Sequence, residues 1–411
     1  MGGEGARLGG VELRTLRLAN GLRVALAPRP HTQLAMVWVR YHVGAADDPP
    51  AHRGLAHLVE HLLFTGSQHT YGEDVADQLY TARALGANGA TAMRTTDYYA
   101  TVPRANVERV LWLESDRMGF MRGELTRKEI TLARGVVDTE LRILNHDEHA
   151  RMIGRVHNAV YPLPHPFFDP EDARTLADVD VADVEGFLAR YVIPANAQLV
   201  VAGDLPADVE QWVRRYFGDL AGGTAPVRAA VPASPIVGEV RLVERSRAEI
   251  VKIGWPSPAQ WSGGDAAADV AAVLLELNLG GRLWAEDGPV ARLEAQQVSR
   301  EGGSLFVVQA QGREGVRAEE VLAVVDAAVR RLSEASTDEL AAARRMLRVG
   351  LLEERATLAG LVAQVHAHWT GLGAADGFAE AVARYEAVDL AGFVAGTLTA
   401  GRRVVLLGGA A

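Results

Sequence analysis

The chain of 411 residues contains no cysteine. Disulfides, thiolate metal sites, cysteine nucleophiles and cysteine-linked lipid anchors are therefore excluded. It also lacks any apolar run approaching 18 residues, so no membrane span is expected and no membrane partner is predicted. No long basic run or stripe is present: 42 Lys and Arg stand against 52 Asp and Glu, for a net charge of −10. Such a surface is a poor match for nucleic acid. The first residues, Met1-Gly2-Gly3-Glu4-Gly5-Ala6-Arg7, lead into no apolar signal core, and a cytoplasmic location is the simplest reading. What remains is ordinary globular material, 48% hydrophobic and 23% charged. Its length implies two or three domains.

One short stretch stands out. His57-Leu58-Val59-Glu60-His61 places two imidazoles and a carboxylate on one side of a helix, because positions i, i+3 and i+4 point the same way at roughly 100° per residue. Two neutral imidazoles at that spacing suit one Zn²⁺, and a carboxylate between them can take a proton from water activated there. The order is H-x-x-E-H, inverted relative to H-E-x-x-H. A catalytic zinc takes three protein ligands and keeps one position open. The third ligand must come from elsewhere. A long charged helix expected over 127–149 offers Glu129, Asp138, Glu140, His146, Glu148 and His149, and spacing does not choose among them. The run His146-Asp147-Glu148-His149 reads more simply as the solvated end of that helix.

Around the motif the pattern alternates between strands and helices. Residues 11–18 and 22–27 flank Asn20-Gly21, a tight-turn pair, and read as a hairpin. Strands are expected over 34–43, 95–102 and 198–201, and helices over 54–64, 74–85 and 104–118. Residues 221–238 hold Gly222, Gly223, Pro226, Pro232 and Pro235 without periodicity and read as a linker. The segments on either side look like distant copies, with 125–142 matched by 336–355 and 179–203 by 388–409. A repeat of about 200 residues is a duplicated domain. The second copy has no H-x-x-E-H; an apolar run over 270–279 stands in its place. The expected architecture is α+β, with a metal-bearing half over 1–220, a linker over 221–238 and a related half over 239–411. Each half is a mainly antiparallel sheet packed with helices, the two forming a clamshell.

Residues 54–67, Gly-Leu-Ala-His-Leu-Val-Glu-His-Leu-Leu-Phe-Thr-Gly-Ser, resemble the metal helix of the pitrilysin/insulin-degrading (insulinase) metallopeptidases. That family includes the catalytic beta subunit of mitochondrial processing peptidase and small bacterial relatives. Asn88-Gly89-Ala90-Thr91 with Thr96-Asp97-Tyr98-Tyr99, Arg134-Gly135-Val136-Val137-Asp138-Thr139-Glu140 and His165-Pro166-Phe167 extend the resemblance. The resemblance implies one Zn²⁺ per chain held by His57, His61 and Glu140, with Glu60 as the base in peptide-bond hydrolysis. It also implies that Asn88 and Gly89 lie on a strand that pairs with the peptide substrate. No other cofactor is implied.

Two departures are informative. The family carries a second Glu seven residues before its zinc-binding one, where this chain has Ala133. It also carries an Arg and a Tyr, seven residues apart in the other half, that steady the substrate carbonyl. Pro289 and Gln296 stand at those positions, with Arg292 nearby but out of register. A tetrahedral oxyanion needs a donor besides the metal. The expectation is thus a zinc endopeptidase that forms a heterodimer with a homologous subunit supplying the Arg/Tyr pair. The alternative is a non-catalytic or weakly catalytic scaffold subunit of the same fold, against which the retention of both histidines and Glu60 argues.

Overall fold

The computed structural model describes residues 11–70, 75–121, 125–170, 172–283 and 288–409. The first sheet has six strands: β1 (Arg14–Arg17), β2 (Arg23–Pro28), β3 (Leu34–Tyr41), β4 (Gly86–Thr91), β5 (Thr96–Pro103) and β6 (Ala197–Gly203), in the order β1-β2-β6-β3-β5-β4. The second has five: β7 (Gly238–Arg245), β8 (Ile250–Ser257), β9 (Val290–Val298), β10 (Ser304–Gly312) and β11 (Arg402–Gly409), in the order β7-β11-β8-β10-β9. The two share a plan. The parallel pair β2–β6 corresponds to β7–β11, and the antiparallel run β6-β3-β5-β4 corresponds to β11-β8-β10-β9. The α+β class and the duplication expected from the sequence are what is observed. Among the described residues no helix is long and apolar enough to cross a membrane.

The chain divides into two compact units, and neither is a single stretch of sequence. The first contains residues 1–142, 170–229 and 352–379; the second contains 143–169, 230–351 and 380–411. In the first unit, α1 (Leu55–Leu62), α2 (Val75–Thr81), α3 (Val107–Phe120) and most of α4 (Arg127–His146) join the six-stranded sheet. Asp74, at the start of the helix expected over 74–85, lies outside the described residues. In the second unit, α5 (Glu148–Val160) packs against β8 and β11.

Strand periodicity explains how the first sheet is covered. Val24, Leu26, Val37, Val39, Leu199 and Val201 point to one face and pack with apolar residues of α1 and α3. The intervening Ala25, Ala27, Met36, Val200 and Ala202 point to the other face, against Leu361, Val362 and Val365 of the helix Leu358–Gly371. Side chains alternate across a strand, so a sheet buried on both faces reads as continuous apolar runs. β6 is one such run, buried throughout. Three alanines on the second face let that helix lie close to the sheet.

Two histidines in this unit, His366 buried and His42 half-buried, carry a pH-dependent contribution. The Nδ1 of His366 lies 2.9 Å from Gln198 Oε1. Burial holds its pKa well below the usual histidine range, with Arg40 and His42 acting the same way. His42 is pushed down to about 3 by burial, then by Arg23, Arg228 and Arg40. Such a histidine is neutral when folded and protonated when unfolded below pH 6.5, so its contribution is present above 6.5 and is lost as pH falls. Asp48 runs the other way. Burial raises its carboxyl to about 7 from an ordinary 3.8, against two backbone hydrogen bonds and Arg53 that lower it. It therefore adds stability as pH falls through that window. Each such histidine removes about 1.4 kcal/mol per pH unit as pH falls below 6.5, and Asp48, with Glu114, whose carboxyl is also raised by burial, offsets that loss. His366→Gln removes one of the two histidine contributions, so between pH 6.5 and about 4.5 its unfolding midpoint should fall less, or rise more, than the parent's. Denaturant titrations at both pH values test this; parallel slopes for the two proteins would refute it.

Candidate metal centre

α1 is only 8 residues long, too short to be stable alone. Two features hold it. Leu55, Ala56, Leu58, Val59 and Leu62 are buried, each large side chain contributing about 1.5–3 kcal/mol relative to exposure. The carboxylate of Asp48 accepts the N–H of Gly54 at 2.7 Å and of Ala56 at 2.8 Å, satisfying donors at the helix start. Behind the helix, the buried guanidinium of Arg117 stacks on Tyr98 and Phe64 at 4.3 and 4.8 Å from their ring centroids. The hydroxyl of Tyr98 donates to the carbonyl of Glu60 at 3.4 Å. The side left partly exposed carries His57 and His61.

α4 supplies the third group. Its buried residues are Ile130, Ala133 and Val137, a stripe spaced three and four apart. Glu140 is the next position on that stripe, which aims it towards α1. Its Oε2 lies 3.2 Å from His61 Nε2 and 3.3 Å from His57 Nε2, and the two Nε2 atoms are 3.2 Å apart. The three atoms form a nearly equilateral triangle. Ligands about 2.05 Å from a tetrahedral zinc are separated by about 3.3 Å, so the triangle has the edge length of one face of such a site. Two imidazoles and a carboxylate are also a donor set used by catalytic zinc, with the fourth position open. The residues present thus fit the metal.

The other acidic candidates on α4 are engaged elsewhere. Glu129 accepts from the N–H of Thr126 at 2.7 Å and caps the helix. Asp138 pairs with Arg142 one turn on. Asp147 caps α5 through the N–H of Ala150 at 2.7 Å, and His149 lies 3.1 Å from Lys252 Nζ. Residues 146–149 form no ligand cluster among the described residues. Ala133 is 5% exposed, so the position that carries a second Glu in the family is here part of the packing of α4.

Glu60 turns from the histidines towards β4. One of its oxygens remains within 4.8 Å of the ligand nitrogens of His57 and His61, and the residue is only 7% exposed. Its Oε2 accepts the hydroxyl of Thr91 at 2.6 Å. Gly89 lies beside it: a Cβ there would come within 2.9 Å of Glu60 Cγ, Glu60 Oε1 and Phe64 Cε2. Thr91 was not singled out by sequence reasoning, although it ends the Asn-x-x-Thr segment. Asn88 is exposed on β4, which pairs with β5 and is the last strand of its sheet. In the second unit, Gln296 is exposed on β9, opposite Val307, and Pro289 immediately precedes that strand. Residues 284–287, which precede the positions expected to match the family's Arg and Tyr, lie outside the described residues.

The family model described as Insulinase (Peptidase family M16) matches residues 23–170, and the one described as Peptidase M16 inactive domain matches residues 178–347. The chain is 26% identical over 377 residues to a protein named zinc protease PqqE from Helicobacter pylori, covering 85% of this chain and 82% of that protein. It is 30% identical over 228 residues to coenzyme PQQ synthesis protein F of Pseudomonas aeruginosa, covering 54% of this chain. It spans only 28% of the length of that relative. Among solved structures, a protease from Helicobacter pylori superposes with a TM-score of 0.83 at 20% identity, covering 97% of this chain and 99% of the other, which supports the fold. The shared sheet plan of the two halves and the two successive family matches lead to one assignment: the chain belongs to the insulinase family, peptidase family M16.

Proposed function

We propose that this chain is a zinc-dependent endopeptidase that cleaves peptides or unfolded segments, with one Zn²⁺ held by His57, His61 and Glu140. The observation that carries this reading is the triangle of Nε2, Nε2 and Oε2 atoms, with edges of 3.2, 3.2 and 3.3 Å. When bound, the metal supplies Lewis acidity, which activates water and polarises a carbonyl at neutral pH. Glu60 accepts the proton of the attacking water and returns it to the leaving amine. The open edge of β4, at Asn88 and Gly89, takes the peptide backbone as an added strand. This places the scissile bond beside Glu60, because Gly89 brings the strand backbone within a methyl group's reach of that side chain. The names of relatives point the same way, since one over most of its length is called a zinc protease.

The chain acts as the zinc-bearing member of a heterodimer, since Pro289 and Gln296 offer no charged or phenolic donor where the family places Arg and Tyr. The direct test is metal content and turnover of a generic fluorogenic peptide by the purified chain, alone and with a homologous chain. One zinc per chain is expected, with turnover lost on chelation and restored by added zinc. A chain that takes up no zinc, or whose hydrolysis survives complete metal removal, would overturn the reading.

A further inference from the structure

We propose that Thr91 is the positioning residue of Glu60, so that the strand offering its edge to a peptide also sets the direction of the base. This rests on the endopeptidase reading above and adds to it a residue with a distinct role. Gly89 and Thr91 are two apart on β4 and share one face of the sheet, as strand geometry requires. That face meets Glu60. The Thr91 hydroxyl donates to Glu60 Oε2 at 2.6 Å, while Gly89 leaves the gap in which Oε1 and Cγ sit. The carboxylate therefore lies against the strand, one oxygen held by a hydroxyl and the other beside bare backbone.

A glutamate side chain has three rotatable bonds, and a hydrogen bond to a carboxylate is short and directional. Without the Thr91 hydroxyl, the carboxylate is free to leave the line towards the water-activating position. A misplacement of about 1 Å costs up to 10²-fold in rate. The backbone groups on the edge of β4 and the side chains on its face are separate resources. One strand can thus hold substrate and base together and fix the distance between them.

Thr91→Val keeps the branched shape suited to a strand and removes only the hydroxyl; Thr91→Ser keeps the hydroxyl. Thr91→Val should lower kcat about 10- to 100-fold, with KM and zinc content unchanged, and Thr91→Ser should restore kcat to within about threefold of the parent. A second readout needs neither metal nor turnover. In the zinc-free chain with ¹³C-labelled glutamate, the carboxyl signal assigned to Glu60 by its loss in Glu60→Gln should move in Thr91→Val and stay in place in Thr91→Ser. An unmoved signal in Thr91→Val, or a Thr91→Val enzyme with parental kcat, overturns the proposal. So does failure of Thr91→Ser to rescue. Should the parent chain show no peptidase activity with any partner, the function reading falls, and the carbon signal still decides the role of Thr91.

Discussion

Glu60→Gln is expected to lower peptide turnover by about 10³-fold, within the range for loss of a positioned general base, while the chain still binds one zinc. The substitution removes proton affinity and little else. Glutamine has the shape of glutamate, its amide oxygen still accepts the hydroxyl of Thr91, and the space beside Gly89 still admits it. Glu60 is not part of the close triangle, whose edges join His57, His61 and Glu140. The metal should therefore stay. Glu140→Ala makes the contrasting case, since it removes one corner of that triangle and should lose zinc and turnover together. Metal analysis beside initial rates separates the two. Near-parental turnover in Glu60→Gln would end the assignment of the base, and full zinc occupancy in Glu140→Ala would end the assignment of the third ligand.

The parts of the molecule readable from sequence are those whose local pattern carries the reason for their structure. H-x-x-E-H needs only a helix to bring its groups together, and the apolar residues around it predict that helix. The strands β3 and β5 announce themselves by branched and aromatic residues, and the Asn20-Gly21 turn marks the hairpin of β1 and β2. The third corner of the site was different. Glu140 lies 79 residues from His61, and the sequence does not say which apolar stripe of its helix, Ile130-Ala133-Val137 or Leu132-Val136-Ile143, faces the core. Family resemblance singled it out. The structure adds a physical reason, since Glu140 continues the stripe of Ile130, Ala133 and Val137 that faces the first unit's core. Strand β4 was hard to read as a strand, because Gly86-Ala87-Asn88-Gly89-Ala90 has almost no side chain to make a pattern. That poverty is what lets Glu60 lie against it. The helix Leu358–Gly371 was equally unreadable: its residues are apolar around much of its circumference, and nothing local says that it covers a sheet formed by the first 203 residues.

A homologous chain that carries an Arg and a Tyr at the positions of Pro289 and Gln296, and that lacks H-x-x-E-H, should raise peptide turnover by this chain about 10²- to 10³-fold. That is the usual cost of losing an oxyanion donor. β9, which carries Gln296, is the counterpart of β4 in the duplicated sheet plan, an edge strand paired on one side by β10. The two halves thus differ at equivalent strands: β4 meets Glu60 through Thr91, while Gln296 is exposed on β9. Glutamine can donate a hydrogen bond, but it is neutral and lacks the reach of a tyrosine, while proline brings no side-chain donor at all. Transition-state charge would then rest on the metal alone. Mixing the two chains and measuring kcat/KM against each alone is the decisive comparison. The gain should vanish when Glu60→Gln replaces the parent, because the partner contributes donors and no base. Equal rates for this chain alone and for the mixture would show that its site is complete without a second subunit.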